Sequence, residues 1–353
     1  MQKKWWSREK IADRLPFLEA RSAILVAVRA FFISRDFREV ETPILQVSPG
    51  IEPHLQPFAT DLAESDGIRR KLYLHTSPEF AMKKLLVAGL PRIFQLARVF
   101  RNGERSDTHH PEFTMLEWYR AGEKSTALIE DCRDILCATL EAVESRECFT
   151  WRGRHCDPAK PWQVMSVAEA FDRHCGIDLL ATAPDPLSPD AGLLAREARR
   201  IGVASGTDDR WEDIFFRIFL DRIEPNLGLE TPSVLTDYPL SMAALARPAP
   251  HDPRVADRFE LFVCGLELAN AFGELTDVTE QRRRFETDQR LRRELYGTQI
   301  PVDEDFMAAL EAGLPESAGI ALGFDRLVML CAGAEHVENV LWAPVDGGEG
   351  EVG

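Results

Sequence analysis

Two hydrophobic periods alternate along the chain and predict a mixture of helices and strands. The stretch Arg21–Asp36 has its apolar residues on one helical stripe, which predicts an amphipathic helix. It leads into FREVETPIL, where apolar and polar residues alternate until Pro43, which indicates a strand at a sheet edge. A second strand is predicted in KLYLHTS. The following SPEFAMKKLLVAG predicts a helix with Ser77 as N-cap, Pro78 at its first position and Glu79 in its first turn.

The middle and the last third of the chain repeat this combination. Residues 93–121 predict a strand, a polar loop and a second strand, in IFQLARVFR, NGERSDTHHPE and FTMLEWYRA, and Leu128–Val143 predicts a helix. Farther on, RFELFVCGLELANAFGELTD predicts a hairpin, DVTEQRRRFETDQRLRREL a charged helix, and GIALGFDRLVMLCAG a strand, a turn and a helix. Strand pairs outnumber strand–helix–strand units, so the pattern predicts an α+β fold with an antiparallel sheet flanked by helices. A Rossmann fold is excluded because no G-x-G-x-x-G follows a strand.

The same pattern indicates one large domain over residues 21–343, preceded by an N-terminal extension, residues 1–20. Residues from about 144 to 253 are Pro-rich and mixed, with helical segments at Val164–His174, Gly192–Gly202 and Trp211–Glu224. We interpret them as an insertion in the domain rather than a separate module. The polar, Gly-rich residues 344–353 predict a flexible tail.

Composition and charge narrow the function. The chain has 353 residues, of which 45% are apolar and 28% charged, an ordinary soluble composition. Its 58 acidic and 42 basic residues give a net charge of −16, which argues against a long tRNA or DNA footprint, because surfaces that contact phosphates are usually basic. No apolar run reaches membrane-spanning length, and MQKKWWSREK lacks the apolar core of a signal peptide, so we expect no membrane association and a cytoplasmic location.

Seven cysteines, an odd number spread along the chain, predict reduced thiols. One grouping has the residue types of a zinc site: Cys148, His155, Cys156, His174 and Cys175. Its spacing matches no common zinc finger, so buried or surface thiols are the favoured interpretation.

The predicted hairpin carries a pair of carboxylates. If Cys264-Gly265 is a two-residue turn, Val263 faces Leu266 and Phe262 faces Glu267, and Glu260 lies on the same sheet face as Glu267. Two carboxylates on one face repel each other unless a cation lies between them, and Mg²⁺ completed by substrate phosphates is the natural cation. A solvated face with two exposed glutamates remains the alternative.

Two more polar residues of the hairpin do not fit a regular strand. Asn270 and Glu274 are at odd offsets from Glu267, so a regular strand would place them on the opposite face. To join the same site, the strand must bulge or bend around Ala269–Gly273, which Gly273 makes easier.

Two arginines provide planar forks suited to a phosphate or a carboxylate. Arg101 ends a predicted strand, and Arg326 follows Gly323 and Asp325 at the start of a helix. Each taken singly is a candidate for a surface salt bridge. Together with the carboxylate pair they indicate an Mg-nucleotide site that has no P-loop.

These segments resemble a known family. FREVETP is similar to motif 1 of the class II aminoacyl-tRNA synthetases, FRNGERSDTHHPEFTMLEWY to motif 2 and GIALGFDRLVML to motif 3, in that order. TSPE and FELFVCGLELANAFGELTD resemble the lysine-specific branch. The resemblance spans residues 21–333, nearly the whole chain, and implies the class II catalytic fold, ATP and Mg²⁺ as cofactors, and a homodimer whose interface lies near Phe37–Pro43.

The resemblance also implies roles at individual positions. Arg101 and Arg326 would be the catalytic arginines: the first would hold the α-phosphate and the amino-acid carboxylate, and the second would stack on adenine and reach the γ-phosphate. Phe113 would stack on the other face of adenine, and Glu260 and Glu267 would bind Mg²⁺. The full implied ATP-binding set is Arg101, Asn102, Gly103, Glu104, His109, His110, Phe113, Glu267, Leu268, Gly323 and Arg326.

The implied amino-acid pocket is built for a diamine. Glu79, beside Ser77 and Pro78, would take one amino group of lysine. Glu117, Tyr119 and Glu274, assisted by Asn270, would take the distal ammonium. The amino-acid carboxylate would then attack the α-phosphorus in line with no protein nucleophile, and an amine would attack the resulting mixed anhydride.

One absence and one substitution refine the resemblance. The motif 1 helix is predicted to begin by Arg21, which leaves no room for the anticodon-binding barrel of a lysyl-tRNA synthetase, so tRNA is not expected as a partner. The better match is the family of shorter, ATP-dependent paralogues that ligate (R)-β-lysine to a lysine of translation elongation factor P. Those ligases have alanine where synthetases of the lysine branch have glycine, and this chain has Ala321, whose methyl group would favour the β-isomer unless the change is neutral.

The chain also departs from the family. Gly103 stands where the family has glutamate, and His110 stands where it has asparagine. Two alternatives to the ligase remain open at this point: a lysyl-adenylate-forming ligase with another acceptor, such as a tRNA-like RNA, a small amine or a lipid, and a non-catalytic paralogue that binds lysine or adenylate. The intact arginines and carboxylates count against the second.

Overall fold

A computed structural model describes residues 4–50, 52–144, 146–243 and 245–345. Apart from Pro344 and Val345, the predicted flexible tail lies outside the described residues. The helices are α1 Arg8–Ile33, α2 Glu79–Val87, α3 Ser125–Glu141, α4 Val167–Cys175, α5 Ala191–Arg200, α6 Trp211–Ile218, α7 Val278–Tyr296, α8 Glu304–Gly313 and α9 Phe324–Ala332. The strands are β1 Arg38–Glu39, β2 Leu45–Gln46, β3 Ala59–Ala63, β4 Arg69–Leu74, β5 Arg92–Phe100, β6 Glu112–Ala121, β7 Phe149–Trp151, β8 Arg154–Cys156, β9 Gln163–Ser166, β10 Ser233–Pro239, β11 Pro248–Ala249, β12 Asp252–Val263, β13 Leu266–Gly273 and β14 Ser317–Gly323.

The largest sheet has the strand order β1-β5-β6-β14-β13-β12-β10-β9, with β11 paired to β12. The pairings of β1 with β5 and of β9 with β10 are parallel, and the other pairings of this sheet are antiparallel. Smaller sheets join β2, β4 and β3, and β7 and β8. The predicted α+β fold with an antiparallel sheet flanked by helices is therefore confirmed.

Alternation along the central strands separates the core from the site. Leu116 and Trp118 of β6, and Ile320 of β14, point to the face covered by α1, α3 and α9 and belong to the main hydrophobic core. Phe32 of α1 stacks on Phe94 of β5, with ring centroids 4.5 Å apart. The residues between these core positions face the opposite side of the sheet, because successive side chains of a strand alternate. That second face carries the candidate site.

Helix α1 begins earlier than its hydrophobic stripe predicts. It starts at Arg8 rather than Arg21, with Ser7 as N-cap. The first half of the helix mixes charged and apolar residues, and its buried Arg14 donates hydrogen bonds to the carbonyls of Leu341 and Trp342. The residues predicted as an extension thus continue α1 and pack on the C-terminal segment, a contact that periodicity within one segment cannot reveal.

The start of α2 differs by one residue from the prediction. Pro78 is the N-cap position rather than the first helical residue, since its φ of −78° and ψ of 2° are not those of the helix. The side chain of Ser77 still accepts a hydrogen bond from the Glu79 amide at 3.0 Å. The predicted capping role of Ser77 is therefore kept, one residue outside its expected position.

The insertion is tied to the main sheet. Helices α4, α5 and α6 surround a core of their own, which includes Phe171, Trp211 and Phe215. Strands β9 and β10 extend the main sheet, and Phe262 of β12 packs into the same core. In the described part of the chain, no helix is long and apolar enough to cross a membrane.

Candidate active site

A cleft of about 610 Å³ lies on the sheet face opposite the main core. Its walls come from the β5–β6 loop, β13, β14, the start of α9, helix α7 and the insertion. The sequence-predicted site residues that line it are Ser77, Glu79, Arg101, Glu104, His109, His110, Phe113, Glu267, Leu268, Asn270, Ala321, Gly323 and Arg326. Glu117, Tyr119, Glu260 and Glu274 lie buried behind the wall and are linked to it by hydrogen bonds or strand pairing.

The β5–β6 loop presents Arg101 to the cleft. The loop is closed by a hydrogen bond from the Arg101 amide to the Pro111 carbonyl at 3.0 Å. The Arg101 guanidinium lies over the Phe113 ring, 5.3 Å from its centroid. Its Nε is buried and has no hydrogen-bond partner among the described residues. A buried donor without a partner indicates a site for an anionic ligand.

Gly103, one of the departures from the family, has a conformational reason. Its φ is +81°, in the left-handed region, which glycine adopts without strain. A Cβ added there would meet nothing within 4 Å, so the backbone conformation and not the space selects glycine. The neighbouring Asn102 amide donates to the Gln56 carbonyl at 2.7 Å, which holds this turn against the preceding loop.

Arg326 is held in place at the start of α9. It donates to the Glu267 carbonyl at 2.7 Å and to the Thr108 carbonyl at 3.3 Å, and its Nη2 lies 2.7 Å from Nε2 of His109. Burial, together with the positive charges of Arg326 and Arg101, lowers the pKa of His109 to about 4. The imidazole is therefore neutral at physiological pH and accepts a hydrogen bond from Arg326.

His110, the second departure, is anchored to the backbone through both ring nitrogens. Nδ1 lies 2.6 Å from the Glu112 carbonyl, and Nε2 accepts a hydrogen bond from the Val345 amide at 3.1 Å. The proton therefore belongs on Nδ1, which donates to that carbonyl. With its polar atoms used in this way, His110 contributes the surface of its ring to the cleft.

The hairpin geometry follows the prediction closely. Val263 pairs with Leu266 and Phe262 pairs with Glu267 across the turn Cys264-Gly265. The predicted bulge is present, but it lies at Leu268 rather than within Ala269–Gly273. On the partner strand, Leu261 pairs with Ala269 and Phe262 with Glu267, so Leu268 is the extra residue.

The bulge changes which side chains share a face. Beyond it, Glu260 pairs with Asn270. Directly opposed residues point to the same side of a sheet, so Glu267 and Asn270 now share one face, as the predicted site requires. One extra residue thus reverses the alternation for the rest of the strand.

Glu260 has an internal cation that the sequence analysis missed. It accepts hydrogen bonds from Arg258 at 2.6 Å and from the Tyr238 hydroxyl at 2.5 Å. Burial and the charge of Glu267 raise the pKa of Glu260 to about 7. Arg258 lies two residues before Glu260 on the same strand face, a spacing that could have identified it.

The carboxylate pair fits a divalent cation in part. The pairing of Phe262 with Glu267 places Glu260 and Glu267 on one face of the sheet, and the charge of Glu267 contributes to the raised pKa of Glu260. A cation between the two carboxylates would stabilise this pair. Among the described residues, no group of three His, Cys, Asp or Glu side chains could hold a metal ion. Glu260 and Glu267 could therefore bind Mg²⁺ if phosphate oxygens or water complete its coordination shell.

The grouping of cysteines and histidines singled out in the sequence is divided between two parts of the fold. Cys148 Sγ and His155 Nδ1 lie 4.0 Å apart, whereas His174 and Cys175 are on α4.

The predicted amine-binding residues form two connected pairs. Glu117 accepts hydrogen bonds from Ser77 Oγ at 2.5 Å and from the Tyr119 hydroxyl at 3.0 Å. Burial, followed by the charge of Glu79, raises the pKa of Glu117 to about 8. Glu79 and Glu274 both contact the ammonium of Lys83, which the sequence analysis did not single out. The spacing of four residues between Glu79 and Lys83 on one helix was the available signal.

Strand β14 supplies the floor of this pocket. Ala321 pairs with Asn270 on one side and with Glu117 on the other, so its methyl group lies between two predicted amino-acid ligands. A Cβ at Gly319 would overlap Tyr119 and Glu274. The small residues of β14 therefore set the room available to a ligand.

Comparisons with known proteins agree with this geometry. A family model described as "tRNA synthetases class II (D, K and N)" matches residues 6–346. The chain is 41% identical over 337 residues to an elongation factor P–(R)-β-lysine ligase of Klebsiella pneumoniae, covering 94% of this chain and 96% of the relative. Proteins of the same name from Erwinia tasmaniensis and Histophilus somni are 41% and 40% identical, over 97% and 93% of this chain and 98% and 95% of those relatives. The chain therefore belongs to the class II tRNA synthetase family and, within it, to the group of the elongation factor P–(R)-β-lysine ligases.

Proposed function

We propose that this protein activates (R)-β-lysine, or lysine, with ATP and transfers it to the ε-amino group of a lysine on translation elongation factor P. One observation carries the chemistry: a single cleft is lined by Arg101, whose Nε has no partner among the described residues, and by Glu79, with the carboxyl groups of Glu117 and Glu274 buried behind its wall. Such a cleft suits a substrate with a carboxylate at one end and two ammonium groups elsewhere. The ligases named above supply the acceptor.

In the activation step, the amino-acid carboxylate attacks the α-phosphorus of ATP and pyrophosphate leaves. Arg101 neutralises the carboxylate and the α-phosphate, and its free Nε provides a donor for developing charge. The Glu267 carbonyl and His109 hold the Arg326 side chain in place. Arg326 therefore needs little rearrangement to contact the nucleotide. Magnesium bound at Glu260 and Glu267 would add electrostatic stabilisation of the triphosphate.

In the transfer step, an acceptor amine attacks the carbonyl of the mixed anhydride and AMP leaves. The amine forms the new amide bond, so the protein needs no nucleophile of its own. Its residues hold the adenylate. Glu79 binds one amino group, Glu117, Tyr119 and Glu274, assisted by Asn270, bind the distal ammonium, and Ala321 limits the shape of the substrate between them.

Pyrophosphate exchange tests the activation step. We expect exchange with ATP in the presence of (R)-β-lysine or lysine, and no exchange with alanine. Arg101→Lys keeps the charge but loses the fork and the Nε donor, so exchange should fall by about 100-fold with the fold retained by circular dichroism. A wild-type protein that exchanges with no lysine isomer would overturn the proposal in favour of a non-catalytic binding protein.

Mass spectrometry of elongation factor P tests the transfer step. Incubation with ATP and (R)-β-lysine should increase the mass of the factor by one aminoacyl residue at a lysine. If adenylate forms while the factor stays unmodified, the acceptor is another amine or an RNA. Because the net charge of −16 is unfavourable for phosphate contacts, we expect no transfer to tRNA.

We also propose a homodimer and a cytoplasmic location. The outer side of α1 and the residue after β2 expose apolar side chains, with Val26 70%, Ile33 60% and Val47 53% exposed. These residues flank the motif 1 segment Phe37–Pro43. An apolar surface of this kind is typical of a protein–protein interface.

A further inference from the structure

A small polar hollow adjoins the main cleft beside Glu79. Its volume is about 20 Å³, enough for one water molecule or one ammonium group. Three carboxyl groups from three elements line it: Glu52 from the loop between β2 and β3, Glu79 from α2, and Asp288 from α7. The same three residues line the main cleft, so the hollow and the cleft share a wall.

Helix α7 holds Glu52 and Asp288 in this arrangement. Arg292, which is 2% exposed, lies one helical turn after Asp288 and donates to the carbonyls of Pro53 at 2.9 Å and Leu55 at 2.7 Å. The loop that carries Glu52 is therefore fixed to the helix that carries Asp288. Within the described part of the chain, the carboxyl groups of Glu52 and Asp288 make no hydrogen bond or ion pair, which leaves both available to a ligand.

The surroundings keep Asp288 near the midpoint of its titration. Burial, and then the charge of Glu52, raise the pKa of Asp288 to about 7, while Arg284 on the same helix opposes them. At neutral pH this carboxyl group is therefore roughly half ionised. Burial also raises the pKa of Glu52, on which four further charged groups act: Arg101, Glu79, Arg258 and Glu104.

The transfer step of the proposed function needs a base. Its acceptor is the ε-amino group of a lysine, whose ordinary pKa of about 10.4 keeps it protonated at neutral pH. An ammonium group has no lone pair and cannot attack the mixed anhydride. A carboxylate whose pKa is close to the working pH is well suited to take the proton.

The hollow lies beside the reacting end of the amino acid. In the proposed function, Arg101 holds the carboxyl group that becomes activated, and Glu79 holds the amino group nearer to it. Glu52 and Asp288 border Glu79 in the hollow and share the cleft with Arg101. They therefore face the space through which an amine approaches the activated carbonyl.

We infer that Asp288, with Glu52 opposite it, is the base that takes a proton from the acceptor ammonium in the transfer step. The inference rests on the proposed function for the identity of the acceptor. The ammonium gives a proton to the Asp288 carboxylate, and the nitrogen lone pair forms a bond to the carbonyl carbon of the adenylate. The bond between that carbon and the phosphate oxygen breaks, and AMP leaves with the electron pair. The nitrogen then loses a further proton to water to give a neutral amide, and Asp288 returns its proton to solvent.

The first test measures transfer separately from activation. The enzyme–adenylate complex is mixed with elongation factor P in a single turnover, and pyrophosphate exchange is measured in parallel. Asp288→Asn should lower transfer at least about 100-fold, as loss of a general base does, and change exchange by less than about threefold. The matched control is Glu286→Gln, which removes an exposed carboxylate of the same helix and should leave both steps unchanged.

Hydroxylamine distinguishes a base from a structural residue. It is largely unprotonated at neutral pH, so it attacks the adenylate without a base and gives a hydroxamate. Asp288→Asn should form the hydroxamate at the wild-type rate although it modifies elongation factor P slowly. A hydroxamate rate that falls together with transfer, or a KM for the amino acid that rises as much as transfer falls, would overturn the inference, because Asp288 would then bind the adenylate rather than serve the acceptor.

The pH profile of transfer gives a third readout. In the wild type, the single-turnover rate should rise with pH up to about 7 and then level, because Asp288 is ionised above its pKa. In Asp288→Asn it should keep rising towards the pKa of the acceptor lysine. Glu52→Gln removes a charge that raises the pKa of Asp288, so levelling should shift to lower pH.

The Glu52→Gln profile decides the question even if Asp288→Asn does not fold, since it reports on an intact Asp288. One profile shared by the wild type and the folded variants, or normal transfer in Asp288→Asn, would overturn the inference alone. A wild type without pyrophosphate exchange would overturn the proposed function and the inference with it.

Discussion

Glu117 illustrates how a single buried carboxylate makes binding depend on pH. Its hydrogen-bond donors, the hydroxyls of Ser77 and Tyr119, favour the ionised form but offset the cost of burial only in part. The pKa of Glu117 is raised to about 8 by burial and by Glu79. Below that pH the free protein carries a proton on Glu117, and an arriving ammonium favours the ionised form.

Binding of the diamine should therefore release a proton from Glu117. Affinity should rise as the pH increases towards about 8, by up to about tenfold per pH unit if this group alone limits binding. Titration calorimetry with lysine at several pH values measures the slope. Glu117→Gln should bind more weakly and flatten the slope. An affinity independent of pH in the wild type would contradict this expectation.

Strand β14 shows how an element can leave room for its neighbours' side chains. Gly319 lies opposite Tyr119 and Phe272 in the sheet, with a negative φ, so its role is spatial rather than conformational. An added Cβ would overlap Tyr119 and the Glu274 carboxylate. Gly319→Ala should cost about 1–3 kcal/mol of stability and displace both groups.

The displacement should raise the KM for the amino acid more than the KM for ATP. Pyrophosphate exchange measures the two KM values separately. Gly206→Ala is a suitable control in the insertion, since its φ is not positive and its nearest contact is the Asp209 side chain at 3.3 Å. Equal effects on the two KM values in Gly319→Ala would indicate general loosening of the sheet rather than a defined pocket floor.

In the molecule as a whole, a buried ion pair connects helix α1 to strand β6 and to the start of α9. Arg21 of α1 donates to Asp325 at 2.5 Å and to the Thr114 hydroxyl at 2.9 Å, and Asp325 accepts from the Thr114 amide at 2.8 Å. Asp325 directly precedes Arg326. Elements far apart in the sequence thus meet at one carboxylate beside Arg326.

Arg21→Ala should therefore lower stability by about 3–5 kcal/mol, because it leaves Asp325 buried without its cation. Urea denaturation measures the loss. The matched control is Arg29→Ala on the same helix, which breaks an exposed pair with Glu39 and should cost less than about 1 kcal/mol. Similar losses in both variants would show that Arg21 contributes no more than a surface arginine.

The proposed dimer gives a second prediction at this scale. Replacing Val26 and Ile33 together with glutamate should convert a dimer to a monomer in sedimentation experiments, because two charges would be buried in an apolar contact. Both side chains are exposed in the single chain, so the fold of each subunit should be unaffected. A wild-type protein that already sediments as a monomer would remove the basis for this interface.

Local sequence patterns were sufficient to predict the main helices and strands and much of the hairpin. Local alternation and the pair Cys264-Gly265 were enough to predict the turn and the facing of Phe262 and Glu267. Asn270 and Glu274 lie at odd offsets from Glu267, so a site that contains all three residues predicted a bulge in the strand. These features depend on neighbours within a few residues, so a local pattern contains the information.

The position of the bulge, the early start of α1 and the internal cations follow instead from contacts between distant segments. Leu268 is the residue at which the register of β13 against β12 shifts, and the pairing of β13 with β14 begins at Ala269, just beyond it. Lys83 meets Glu274 across 191 residues of sequence, and Arg21 meets Asp325 across 304. Nothing local marks which lysine or arginine is buried, since burial is decided by the packing of segments that are distant along the chain.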